Sequence, residues 1–165
     1  MSQAMTYGAE RPLTAAEWAG LSPGLADALR AAGVEPVIVA RPCKLARIAR
    51  LWRGGVPIMA LGRTIYWAGA TDDLAGPWNA RAMAILQHEL QHLLEYATGE
   101  LGVVRYGANP RNWTYGYTLT AASQWSDFGA EQRASIVEHL WLIEHRLMVD
   151  AAGGAHHRRV IPWVG

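Results

Sequence analysis

Over residues 78–98, Met83, Leu86, Leu90, Leu93 and Leu94 fall on one face when placed at 100° per residue, which predicts a long helix ending near Gly99. A second long helix is expected over residues 130–149, with Ile136, Val137, Leu140, Ile143 and Leu147 on its apolar side. Nearer the start, Thr14 followed by Glu17 has capping-box spacing and opens a helix. Beyond the Ser22-Pro23-Gly24 break, Leu25, Ala28, Leu29 and Ala32 share one side until Gly33. Residues 37–40 form a short β-rich run, and residues 57–60 and 64–67 flank Leu61-Gly62-Arg63 as a tight hairpin. Between the two long helices, residues 99–129 are rich in Gly, Asn, Tyr and Trp and show little periodicity. A connection of that length is more often a functional loop than slack. The pattern predicts a single α+β domain over residues 1–165, with a core at about 13–149 and loose tails at 1–10 and 153–165.

Composition narrows the class. Hydrophobic residues make up 51% and charged residues 18% of 165 positions, enough to bury a core and too apolar for global disorder. The formal charge of +1 gives no general reason to expect nucleic acid or an anionic membrane as a partner. One cysteine, Cys43, excludes an internal disulfide framework. No stretch approaches the roughly 18 apolar residues of a membrane span, and residues 1–10 lack the features of a secretory signal. A cytoplasmic location follows as the expectation, with signal-independent export through a secretion apparatus as a variant of it.

The chemistry is concentrated in His88-Glu89-Leu90-Gln91-His92, an HExxH motif. Four residues make about one helical turn, so both imidazoles leave one face about 6 Å apart along the axis, where they can share one Zn²⁺. Glu89 is placed to reach a water at the ion without ligating it. The bland alternative is that both histidines lie on a solvated face opposite the leucines, although Ile85 and Tyr96 flank them. A third protein ligand must come from elsewhere. The positions at which a metzincin carries its Gly and third His are Glu95 and Thr98, so that class is excluded. Glu95 lies about 10 Å up the axis from His88, too far to share the ion. Asp127, Glu131, Glu138, His139, Glu144 and His145 remain. Glu131 has a bland reading as well, since Glu131, Ser135, Glu138 and His145 form one polar stripe and a first-turn carboxylate is favoured at a helix N-terminus.

The hairpin Gly62-Arg63-Thr64-Ile65-Tyr66-Trp67, the HExxH, Tyr115-Gly116-Tyr117-Thr118-Leu119 and the segment from Phe128 to Val137 together resemble the short bacterial Vgr-related proteins. These are zincin-like proteins similar to HExxH domains found with type VI secretion and contractile-injection components. The resemblance covers roughly residues 41–146 and departs from the usual pattern at Arg133, where Gln is common. It implies a minimal gluzincin-type fold, with a small β-sheet, the HExxH helix and a C-terminal helix supplying Glu131. It also implies His88 and His92 as ligands, Glu89 as base, and a possible secretion-system partner.

Weaker signals surround this site. Tyr117, in the long loop, is a candidate donor to the oxyanion of a zinc-peptidase transition state. Trp113 and Trp125 are candidate groove walls. His156 and His157 are not expected to ligate, because ordering a loose tail costs entropy. Arg41, Lys44, Arg47, Arg50 and Arg53 recur every third residue with no acid between them, either as a solvated face or as a ridge for an acidic partner. The reading is a zinc-dependent metallopeptidase-like hydrolase with one Zn²⁺ per chain and a peptide or protein substrate. Its competitors are a non-enzymatic zinc-binding adaptor and a metal-free adaptor using the basic ridge. Glu131→Ala is expected to weaken zinc binding and Glu138→Ala to change it little.

Overall fold

The computed structural model describes residues 2–47, 56–76, 79–102, 106–107 and 110–164. The chain opens with β1 (Glu10–Pro12), α1 (Ala15–Ala19), α2 (Pro23–Ala31) and β2 (Val37–Val39). The hairpin β3 (Met59–Leu61) and β4 (Thr64–Tyr66) follows, then the long helix α3 (Ala80–Thr98). After two 3₁₀ turns, Pro110–Trp113 and Trp125–Asp127, come α4 (Ala130–Glu144) and α5 (Ala155–Val160). The fold is α+β. The sheet runs β1-β2-β4-β3, with β2 and β4 parallel and both outer pairs antiparallel, so β3 is an edge strand. Gly62, at the hairpin, has φ of +62°, a conformation glycine adopts without a Cβ penalty.

The leucine stripe of α3 does what its spacing predicts. Leu86, Leu90 and Leu93 are fully buried against Leu25 and Leu29 of α2, Ile38 and Ile65 of the sheet, and Ile136 and Leu140 of α4, all within one hydrophobic cluster. Gly99, at φ +76°, terminates the helix at its expected end. No helix among the described residues is long and apolar enough to cross a membrane.

Two expectations need correction. The N-terminal and C-terminal segments are not loose tails. Met5 N–H bonds the Ala70 carbonyl, Gln3 N–H bonds Asp72, and β1 itself pairs with β2. At the other end α5 buries His157 and Val160, with Ile161 fully inside the core. The last long helix also stops at Glu144 rather than 149. Arg146 takes φ of +58°, and Leu147 N–H turns back to the Leu142 carbonyl. Leu147 therefore leaves the apolar stripe and stands 53% exposed.

The Thr14–Glu17 capping box is present, and Glu17 does more than cap. Its carboxylate, fully buried, accepts from Thr14 N, from Leu74 N and from both terminal nitrogens of Arg11 at 2.6–2.7 Å. Glu17 thus ties β1, α1 and the segment before α3 together. Glu17→Ala removes the counter-charge of the largely buried Arg11 guanidinium and the acceptor of two backbone N–H groups, so urea unfolding should show a loss of about 3–5 kcal/mol. A loss of surface size, below about 1 kcal/mol, contradicts this role.

Candidate metal centre

On α3 the helical repeat places His88 and His92 on the side opposite the leucines, and that side is not solvent. Helix α4, edge strand β3 and the long loop cover it, leaving His88 8% and His92 6% exposed. The solvated-face reading of the two histidines therefore fails. Their rings stand 5.0 Å apart, nearly perpendicular.

Glu131 enters from the first turn of α4. Gly129, ahead of that helix, has no side chain to cap it, and a Cβ there would lie 2.2 Å from the Arg111 carbonyl oxygen. Asn112 supplies the missing acceptor instead, its buried Oδ1 taking the Ala130 N–H at 3.0 Å. The glycine lets the loop close onto the helix end, and the asparagine fixes it there. Glu131 is thereby held with Oε2 3.1 Å from His88 Nε2 and 3.6 Å from His92 Nε2. The Tyr106 hydroxyl donates to its other oxygen.

These three side chains are buried and offer ligand atoms all within 4.8 Å of one another. Two donors bonded to one ion at about 2.0–2.1 Å and the tetrahedral angle stand about 3.3–3.4 Å apart. The observed 3.1 and 3.6 Å bracket that separation. Two imidazoles and a carboxylate are also a donor set that suits zinc. The residues fit the ion.

Of the other sequence candidates for third ligand, none joins the group. Asp127 accepts from Gln124 N, Glu144 pairs with Arg158, and His145 stacks on Trp141. Glu95 is buried but turned to Arg133, 2.8 Å away, and to Gln91. Glu138 stands outside the group but touches it. Its distance along α4 keeps it from joining the three, and its Oε2 lies 3.1 Å from His88 Nδ1. One imidazole, gripped at both nitrogens, spans the two helical turns between Glu131 and Glu138. A carboxylate on the second nitrogen fixes ring orientation and tautomer.

The electrostatics follow from these contacts. Burial opposes charge on His88, but Glu131 and Glu138 outweigh it and its pKa is pushed up to about 10. Burial likewise opposes ionisation of Glu131, yet His88, His92 and Tyr106 hold its carboxyl far below the usual range. Glu89 differs. Burial dominates and raises its pKa, against the pull of the two histidines and a hydrogen bond from the backbone of Ala60 on β3.

His88, Glu89, His92 and Glu131 line one cavity of about 780 Å³. Trp113 stands in its wall, as expected of a groove residue, whereas Trp125 lies elsewhere, beneath the Arg133 guanidinium. Tyr117 does not line the cavity. Its hydroxyl lies 2.5 Å from His139 Nδ1 and 3.0 Å from His157 Nε2, and burial pushes its pKa up. One O–H can donate to only one ring, so the other ring donates to it. This knot ties the loop to α4 and α5 and keeps Tyr117 from the oxyanion role. The cavity's tyrosines are Tyr96, Tyr106 and Tyr115, the last stacked 6.1 Å from the His88 ring. Tyr106 and Asn112 carry no sequence signal beyond their place in an aperiodic loop. Arg41, Lys44 and Arg47 are exposed, while Arg50 and Arg53 fall outside the described residues. No protein-family profile, curated protein sequence or solved structure matches the chain.

Proposed function

We propose that the chain is a zinc-dependent hydrolase of peptide or amide bonds. The observation that carries this reading is the convergence of His88 Nε2, His92 Nε2 and Glu131 Oε2 on the cavity that Glu89 also lines. These three side chains would hold the ion with room left for a water, as in catalytic rather than structural zinc sites. Bound there, zinc supplies Lewis acidity, lowering the pKa of water and polarising a carbonyl. Glu89 does the proton work. Its buried carboxylate, made more basic by burial, takes a proton from the attacking water and delivers it to the leaving nitrogen. Glu138 orients His88, and Tyr106 holds the outer oxygen of Glu131, in a cavity whose walls are mostly apolar. The resemblance to Vgr-related proteins agrees with these roles, and a secretion-system partner belongs to the proposal only through it.

A specific observation supports a second reading. Without metal, His88 between two carboxylates is already a closed ion-pair cluster. Metal content separates the two. Protein purified without a His tag, stripped with chelator and then dialysed against Zn²⁺, should take up about one ion per chain by plasma emission analysis. Substituting His88 and His92 by Ala should abolish the uptake. No uptake by the native chain leaves the ion-pair cluster as the whole role of these residues.

A further inference from the structure

Most of the cavity wall is apolar. Ile58, Met59 and Leu101 face inward, while Leu45 and Trp113 stand at the cavity with 45% and 54% of their surfaces exposed. Large apolar groups left open at a concave site mark a place where something apolar binds. Besides the HExxH histidines, Glu89 and Glu131, no Asp, Glu, Lys, Arg or His among the described residues lines this space. Away from those four side chains, a charged group set against the apolar wall would lose its hydration without a partner. The volume of about 780 Å³ lies within the range that encloses most of a drug-sized ligand, more than one small side chain needs.

The Leu45 side of the cavity carries a second feature. Leu45 sits in the helical turn 44–47, between the exposed Lys44 and Arg47 and just after the exposed Arg41. Residues 36–71 contain neither Asp nor Glu. Among the described residues, none of these three cations is in an ion pair, although Arg11, Arg30, Arg133 and Arg158 all are. Leu45 thus lines the cavity, and the cations on its own helical turn, outside the lining, are free of ion pairs among the described residues.

We infer that this cavity selects a peptide segment bearing a large apolar side chain, Leu or larger, with acidic residues beside it that lie against Lys44 and Arg47. The inference rests on the hydrolase reading for the occupant being a peptide. The apolar wall sets which residue is seated, and the cations set what flanks it, the second contribution weakening with salt.

Binding without turnover tests this. Glu89→Gln protein, with and without zinc, is titrated by calorimetry against end-blocked hexapeptides carrying Phe, Leu, Ser or Lys at one position, flanked by Glu or Gln. Phe and Leu peptides should bind at least tenfold more tightly than Ser or Lys peptides, and Leu45→Ser should shrink that ratio. Glu flanks should add at least threefold at low salt, an increment that K44E/R47E removes while the apolar preference stays. Equal affinity across the four side chains, a preference for Lys, or no binding by any peptide overturns the inference. A Glu-flank increment that survives K44E/R47E overturns its acidic half. Zinc uptake is measured on the same samples and judged separately. A chain that takes no zinc yet shows the apolar and acidic preference keeps this inference and loses the hydrolase reading.

Discussion

Glu89→Gln should retain zinc at the native stoichiometry and lose hydrolysis. The substitution keeps the shape of the side chain and an oxygen to accept the Ala60 backbone hydrogen bond. It removes only the basic site that accepts a proton. The metal should stay because Glu89 is outside the group of three convergent donors. Loss of a positioned general base costs about 10²–10⁴ in rate, and burial makes the cost here heavy, because Glu89 is only 6% exposed and water cannot readily substitute for it. The comparison is turnover on a peptide library at matched zinc loading. Equal turnover by the two proteins removes Glu89 from the mechanism. Zinc-loaded native protein with no turnover on any peptide favours the non-enzymatic adaptor.

The parts of the site legible in the sequence are those governed by local periodicity. HExxH is local: one helical turn dictates that His88 and His92 share a side, and Leu86, Leu90 and Leu93 dictate which side faces the core. The Thr14–Glu17 cap and the Gly62 hairpin are legible for the same reason, since a few adjacent residues fix each. Glu131 was only half legible. Its stripe, Glu131, Ser135, Glu138 and His145, has the periodicity of a solvated face, yet Glu131 and Ser135 are buried and His145 is exposed. The stripe changes character along α4 because its first turns lie over the HExxH face while its last turn passes beyond it. Periodicity reports spacing around an axis and is blind to that change along it.

What stayed illegible depends on contacts between distant segments. Tyr106 meets Glu131 across 25 positions, Tyr117 meets His157 across 40, and Glu138 meets His88 across 50. An aperiodic loop gives no rule by which Tyr106 rather than Tyr117 should face the His88–His92–Glu131 group. The C-terminal helix was hidden because Gly153-Gly154 and the His-Arg run read as a tail. Val160, Ile161 and His157 are buried there, and Arg159 donates to the Thr120 and Ser123 carbonyls.

Glu131 and Glu138 are both expected to matter for zinc, for different reasons that their amide variants separate. Glu131→Ala removes a proposed ligand atom, so zinc affinity should fall at least tenfold, about 1.4 kcal/mol. Glu138→Ala leaves the three ligands in place but frees the Nδ1 side of His88, and loss of such an outer partner typically costs about 10–100-fold. At position 138 a neutral carbonyl oxygen can still accept a hydrogen bond from Nδ1–H, so Glu138→Gln should recover most of the lost affinity. At position 131 the amide is a poor ligand for zinc, so Glu131→Gln should remain nearly as weak as Glu131→Ala. Competition titrations against a chromophoric chelator on all four variants read these constants directly. Unchanged affinity in Glu131→Ala overturns the ligand assignment, and unchanged affinity in Glu138→Ala overturns the orienting role. Equal recovery by both amides would mean that Glu131 also acts through a hydrogen bond to His88, leaving His88 and His92 to hold the metal with a ligand from outside this group.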